Sequence, residues 1–460
     1  MFRVPTGTVM TTDLLAEYMG KHNEEITMRY KRLQDAYCND YSIIHEKKKE
    51  AWKPDNRIPV NFAKYITDTF NGFVTGIPIK ITNADKAVSD YIEFLDQYND
   101  QDDNNSELSK ICDMYGNGYE MYYIDEDGNE CITYLTPMEA FMIYDDSIVE
   151  RPLFFVRHYI DSENVERGSW SDGTYVQHFV NDGTYKWIDE PKKHGFKYVP
   201  AVEYIENNER MGVYESVLPM IDAYNKAISE KANDVDYFAD AYLKVLGAAL
   251  ETDSIKTIRD NRIINLEGEG AQNVVVDFMD KPNGDTTQEN LINRLEKLIF
   301  MISMVANISD ENFGTSSGIA LKYKLQAMNN LAKTKERKLR SGMGQRYKIL
   351  FSNPIAQTRG VSEDAWLKNT YIFTRNFPSN ILEESQIAGN LEGIVSKETQ
   401  LSALSIVENI QEEIDRMKQE EEEAQESIVE RRMFGSHGEE ESTGGDSQPE
   451  ILAREGRGTA

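Results

Sequence analysis

Any chemistry in this chain would have to come from its histidines, its few cysteines, one glycine-rich loop, one acidic turn and one basic helix. The six histidines, His22, His45, His158, His178, His194 and His437, show none of the spacings at which metal ligands recur. No HExxH, GxSxG, phosphate-loop or dinucleotide glycine pattern is present. Cys38, Cys112 and Cys131 lie far apart with no CxxC pair, which points to reduced thiols rather than a zinc site or a disulfide framework. The loop Gly314-Thr315-Ser316-Ser317-Gly318 precedes a helix but lacks the lysine that should follow the last glycine of a phosphate loop, so nucleotide binding is not expected there. Asp125-Glu126-Asp127-Gly128 lacks the spaced oxygen ligands and terminal glutamate of a calcium loop and reads more simply as a hairpin turn. Asp100, Asp102 and Asp103 read as a solvated loop. No catalytic residue, metal ligand or cofactor is expected, and the chain reads as non-enzymatic.

One charge feature runs against the composition. The formal net charge over 460 residues is −29, which argues against a protein that coats DNA tightly but not against one that touches it in passing. Yet Lys322, Lys324, Lys333, Lys335, Arg337, Lys338, Arg340, Arg346 and Lys348 share one helical stretch in which Glu336 is the only acid. Such a helix can present a solvated face, pair with acids of neighbouring subunits, or meet a phosphate backbone. Lys322, Lys324, Lys333, Lys335 and Lys338 are the candidate phosphate contacts.

The elements that must position these residues follow from periodicity. The length suits roughly two to four structural modules. No charged start followed by an apolar run opens the chain, so no signal peptide is expected, and no stretch approaches the roughly 18 apolar residues of a membrane span. Assembly in the cytosol is the expectation. Residues 13–50 read as helical. Pro59 is placed to open a helix whose face is Ile58, Phe62, Ile66 and Phe70, ended by Gly72 and Gly76 and followed by a short strand, IPIKI. A helix pair over 85–116 is broken by the polar run NDQDDNNSE, and a hairpin over Tyr119–Thr136 turns at Asp127-Gly128 in a primed turn. Strands are expected at Leu153–Tyr159, Thr174–Val180 and Thr184–Ile188. Beyond residue 208 the character changes. A stripe from Val217 to Val245 predicts a helix of about 30 residues, or roughly 45 Å. Leu291, Leu295, Leu298, Ile302 and Val305 predict an antiparallel partner, with strand-like runs at Arg262–Leu266 and Asn273–Phe278 between. A third long helix is expected over 319–351, bent at Gly342 and Gly344. More helix is expected over 378–418, with a stripe of Leu401, Leu404, Val407, Ile410, Ile414 and Met417. A disordered acidic tail is expected from 419. The fold class is α+β, mostly helical.

Two stretches resemble the portal proteins of tailed phages, the type found in long-tailed phages of Gram-positive bacteria. One is Asn56-Arg57-Ile58-Pro59-Val60-Asn61 through Phe70-Asn71-Gly72-Phe73-Val74-Thr75-Gly76-Ile77-Pro78. The other runs from Ser309 through Asp310, Glu311, Asn312, Phe313, Gly314, Thr315, Ser316, Ser317 and Gly318 to Lys324. The module order matches from about residue 15 to 420. The resemblance implies a ring of about twelve subunits around a channel for double-stranded DNA, which is contacted non-specifically and transiently. It further implies a wing at 1–212, stem helices at 213–246 and 287–306, and a clip at 247–286. A tunnel loop at 307–318, a long helix and return at 319–377 and a crown at 378–418 would complete the protomer. The implied partners are the terminase large subunit and then a head-completion adaptor, facing Lys256, Arg259 and Arg262 of the clip, together with major capsid and scaffolding proteins. No membrane partner is implied. Asp310 and Glu311 make the loop acidic, so attraction to phosphate would come from the helix after it. An acidic cytosolic scaffold of helical hairpins is the competing class. It explains the acidity but not a basic helix behind a glycine-flanked polar loop.

Overall fold

The computed structural model describes residues 1–50, 53–239, 243–246, 275–278, 285–308, 321, 323–376, 381–404, 406–407 and 410–434. It divides into two compact units, Met1–Phe377 and Pro378–Ala460. In the first, β1 (Phe2–Val4) leads to α1 (Thr12–Glu25), which passes through one π turn, Ile26–Tyr30, into α2 (Lys31–Tyr37). Then come α3 (Phe62–Thr75), β2 (Lys80–Thr82), α4 (Lys86–Tyr98) and α5 (Gln101–Tyr115). The strands β3 (Asn117–Ile124), β4 (Glu130–Leu135), β5 (Ala140–Asp145), β6 (Pro152–Ile160) and β7 (Glu166–Ser171) follow. After these lie β8 (Tyr175–Asn181), β9 (Tyr185–Trp187), β10 (Lys192–Lys193) and β11 (Ala201–Ile205). α6 (Leu218–Ala239), β12 (Leu243–Leu246), β13 (Val275–Phe278), α7 (Asp285–Ser303), α8 (Gln326–Leu350), α9 (Pro354–Thr358) and β14 (Thr370–Ile372) complete the unit.

The larger sheet has seven strands in the order β1-β5-β6-β7-β8-β10, with β9 also on β8. Its β1 runs parallel to β5, Phe2 opposite Ile143. A three-stranded sheet, β11-β3-β4, carries the predicted hairpin. Of the tip residues only Gly128 has a positive φ, so the turn is not of the two-residue primed kind. Instead Asp125 accepts the amides of Asp127 and Asn129 at 3.0 and 2.8 Å. The smaller sheet, α3, α5 and α8 enclose the main core, in which Ile66, Phe70, Leu339, Met343 and Leu350 are buried. A second core lies between α1 and the larger sheet around Leu15, Met19, Phe141 and Val156.

Several boundaries differ from expectation for identifiable reasons. Pro59 does not open α3, because the cap is Asn61, whose side chain accepts the Lys64 amide at 3.0 Å. The polar run after α4 is no loop: the break is Asn99 and Asp100, the latter at φ +50, and Asp102 and Asp103 occupy the first turn of α5, where acids suit the helix dipole. α6 stops at Ala239, and Val245 lies in β12. α7 runs antiparallel to α6, since Lys231 pairs with Glu289 and Gln288 Nε2 donates to Asp234 at 2.8 Å. Ile292 and Ile299 are its buried apolar residues; of the predicted stripe Leu295 packs against the same core and Val305, beyond the helix end, is buried in it, while Leu291 stays 52% and Ile302 40% exposed. Gly342 is a close-packing position rather than a bend: a Cβ there would lie 2.4 Å from the Tyr204 ring on β11. Arg262–Leu266 lies outside the described residues. The second unit holds α10 (Ile381–Leu391), α11 (Lys397–Leu401) and α12 (Ile410–Phe434). The tail predicted to be disordered from 419 is therefore helical through Phe434.

Candidate functional site

α8 divides its charges between two opposite faces. Asn330, Lys333, Arg337, Arg340 and Ser341 recur at helical spacing on the exposed side, with no acid among them. Arg340 reaches the Tyr371 carbonyl at 3.3 Å, while Glu336, off this strip, pairs with Arg375 at 2.7 Å. On the buried side stand Lys335 and Arg346, three turns apart.

Arg346 is fully buried. Its Nε and Nη2 each donate to Glu120 on β3 at 2.8 Å, and Nη2 also donates to Asn105 on α5 at 2.6 Å. Tyr122 and Tyr204 donate to the same carboxylate at 2.7 and 3.0 Å. This fork-to-fork pair satisfies one cation with one anion. Lys335 is 1% exposed and donates to Asp113 Oδ1 at 2.5 Å and to the Ser109 carbonyl at 3.0 Å. Glu206 stands 3.3 Å from the same ammonium. Burial pushes the Asp113 carboxyl well above its ordinary range, against the pull of Lys335.

The phosphate candidates thus separate. Lys335 is corrected: it is an internal ion-pair partner, sealed from any ligand. Lys324 and Lys333 are exposed, and Lys338 is half-buried, donating to Asn208 at 2.5 Å. Lys322, the loop residues Asp310, Glu311, Asn312, Phe313, Gly314, Thr315, Ser316, Ser317 and Gly318, and Lys256, Arg259 and Arg262 lie outside the described residues. Sequence reasoning missed Asp113, Glu120 and Glu206, and it counted Arg346 among the basic residues of the helix without its burial. The signal was available in part, since Lys335 and Arg346 share a face with Ala332, Leu339 and Met343, the apolar side of the helix.

The segment Asn56–Val60, part of the first resembling stretch, is held along α6 by a polar ladder. Asn233 accepts the Asn56 amide at 2.6 Å, Ser229 that of Ile58 at 2.9 Å and Asn225 that of Val60 at 2.8 Å. Four helical residues rise about 6.0 Å and two extended residues about 6.6 Å, so an i, i+4, i+8 row on a helix matches alternate amides of an extended chain. Pro59 falls at an outward position, where its missing N–H breaks nothing.

Among the described residues no group of three or more His, Cys, Asp or Glu could hold a metal ion, and no helix is long and apolar enough to cross a membrane. A family model described as phage portal protein, SPP1 Gp6-like, matches residues 16–427. The portal protein of Bacillus phage SPP1 is 22% identical over 440 residues, covering 89% of this chain and 86% of that protein. The portal protein of Clostridium phage phiCD119 is 24% identical over 429 residues, covering 82% and 87%. Among solved structures, a chain from the neck of an empty GTA particle gives a TM-score of 0.45 at 10% identity, covering 74% of this chain and 88% of that one. The chain belongs to the SPP1 Gp6-like phage portal proteins, a structural family that forms a multimeric ring at a capsid vertex of the virion.

Proposed function

We propose that copies of this chain close head to tail into a ring of about twelve subunits, through whose channel double-stranded DNA enters and leaves the head. The observation that carries this reading is the portal-family match over 16–427. In the same reading residues 1–212 form the wing, 213–246 and 287–306 the stem, 247–286 the clip, and 307–318 the tunnel loop. The stretch 319–377 is the long helix and its return, and 378–418 is the crown. The clip, with Lys256, Arg259 and Arg262, docks first the terminase large subunit and then the head-completion adaptor. Major capsid and scaffolding proteins meet the ring during assembly in the host cytoplasm. The chain acts as a conduit and not as an enzyme.

DNA must slide, so sequence-specific grip would be a fault. An acidic wall repels the backbone and a limited set of cations keeps the duplex centred. Lys324, Lys333 and Lys338 are the described cations for that role, and Lys322 is the further candidate. The acid-free exposed strip of α8 supports it in a chain of net charge −29. Negative-stain electron microscopy of the purified protein tests the reading. Rings with a central hole wide enough for a duplex are expected, and compact closed dimers without a hole would overturn it.

A further inference from the structure

The two buried cations of α8 are balanced differently. Arg346 meets one carboxylate. Lys335 meets two, and the side chains of Lys335, Asp113 and Glu206 are all removed from solvent. One positive charge cannot neutralise two negative ones at such a place, so the cluster is closed only while a proton sits on one carboxyl. Asp113 Oδ2 and Glu206 Oε2 have no other hydrogen-bond partner. The groups facing the cluster are the Cys112 thiol and Ser109 carbonyl of α5 and the Phe70 ring of α3, 5.3 Å from the ammonium, while Glu203 of β11, held by Arg210 and Tyr144, acts only as a more distant charge on the Cys112 thiol.

What the cluster joins gives it a role. Asp113 lies in the last turn of α5, and the chain from Glu206 to Val217 leads into α6. That lead-in is laid backbone to backbone on the same turn: Glu206 N donates to the Gly116 carbonyl at 2.9 Å and Val213 N to the Asp113 carbonyl at 2.8 Å. Gly116, at φ +87, has no room for a Cβ, which would lie 2.0 Å from the Arg210 carbonyl. Arg29, from the π turn, donates to the Tyr115 and Arg210 carbonyls at 3.1 and 2.5 Å and pairs with Glu215 at 2.7 Å. Both α6 and α8 are therefore referred to one point, the C-terminal turn of α5.

We propose that Lys335, Asp113 and Glu206 form a proton-closed clamp that holds the lead-in to α6 and the N-terminal half of α8 in one register on α5, and that frees both together when the proton leaves. The Arg346–Glu120 pair is matched one to one, and Asp96 of α4, the other carboxylate that feels Arg346, has its carboxyl at about 6 and so does not change charge between pH 7 and pH 9.5, which leaves the C-terminal half of α8 anchored as the pivot. The clamp is a property of the protomer and does not depend on the ring.

Hydrogen–deuterium exchange of the full-length protein, followed by mass spectrometry at pH 7 and pH 9.5 and corrected for intrinsic exchange rates, tests this. Residues 206–216 and 326–338 should lose protection together by at least about tenfold at the higher pH, while 343–350 and the sheet strands 140–181 do not. Asp113→Asn, and equally Glu206→Gln, should close the cluster without a proton and abolish that pH dependence. Lys335→Met should show the open pattern already at pH 7, and if it fails to fold the two isosteric variants carry the test alone. The clamp is refuted if the two segments respond independently, if they do not respond, or if Asp113→Asn keeps the wild-type pH dependence.

Discussion

Glu130, at the start of β4, offers a quantitative test of the packing between the β3–β4 hairpin and α4. The residue is 1% exposed. Tyr91 on α4 donates to its Oε2, its Oε1 has no partner, and Arg359 acts on it only as a nearby charge. Burial raises its carboxyl from an ordinary 4.5 to about 8. The sign follows. Between pH 4.5 and 8 the folded chain keeps a proton that the unfolded chain releases, so stability falls as pH rises through that window and levels off above it. Each pH unit costs about 1.4 kcal/mol, hence about 4 kcal/mol between pH 5 and pH 8. Glu130→Gln is neutral throughout and can accept the Tyr91 hydroxyl, but its amide N–H₂ gains no partner, at a cost of about 1–3 kcal/mol. The variant should therefore be less stable than the wild type near pH 5 and more stable near pH 8. Urea unfolding at fixed protein concentration, repeated at half-unit pH steps, reads the difference directly, because every other titrating group is common to both proteins. Two stability curves that run parallel across pH 5–8 would refute the reasoning.

His22 is the acid-side counterpart. Neither ring nitrogen has a hydrogen-bond partner, Phe141 lies 4.6 Å and His158 5.2 Å from it between ring centres, and burial holds it down at about 3. Below its ordinary 6.5 the unfolded chain takes a proton the folded chain refuses, so His22→Phe should remove a loss of about 3 kcal/mol at pH 4.5, measured by acid titration of the urea midpoint. In the ladder on α6, Asn225→Ala and Asn233→Ala should each cost about 1 kcal/mol at pH 7 and add in the double variant, because the two sites lie about 12 Å apart. An unchanged unfolding midpoint in the double variant would show that water replaces the ladder.

Much of this fold was legible because it is local. The hairpin over 117–135 shows in its turn residues, α3 in Phe62, Ile66 and Phe70, and β8–β9 in the Asn181-Asp182-Gly183 turn. What was not legible is decided by distant partners. Phe2–Val4 carries no strand signal of its own and becomes β1 only because β5, some 140 residues on, offers an edge. Sequence reading assigns Glu166–Ser171 no element, yet it is β7, and Gly168 allows β6 and β8 to close on it, since a Cβ there would lie 2.2 Å from the Arg157 carbonyl. The basic helix shows the limit most clearly. Lys335 shares the apolar side of the helix and Lys333 does not, which marks it for burial, but only the positions of Asp113 and Glu206 make it an internal ion pair. The second resembling stretch, though distinctive in sequence, lies almost wholly outside the described residues, so its assignment rests on resemblance.

The polar contacts also explain how long helices keep their place. An apolar stripe repeats itself every turn, so a helix resting on apolar neighbours alone has several packings of similar energy. A ladder of amides or a carboxylate socket has one register, because a slip of one residue breaks every bond in it. α6 is held by the Asn56–Val60 ladder and α8 by its two buried cations. α7 is different: Ile292 and Ile299 seat it, while Leu291, Met301 and Ile302 face outward, Met301 at 65% exposure. Three large apolar side chains on the open side of one helix are more than a scattered surface needs. That side is the one we propose a neighbouring copy covers in the ring. Because no ladder or socket residue lies on it, assembly can bury the face without disturbing the registers inside each protomer.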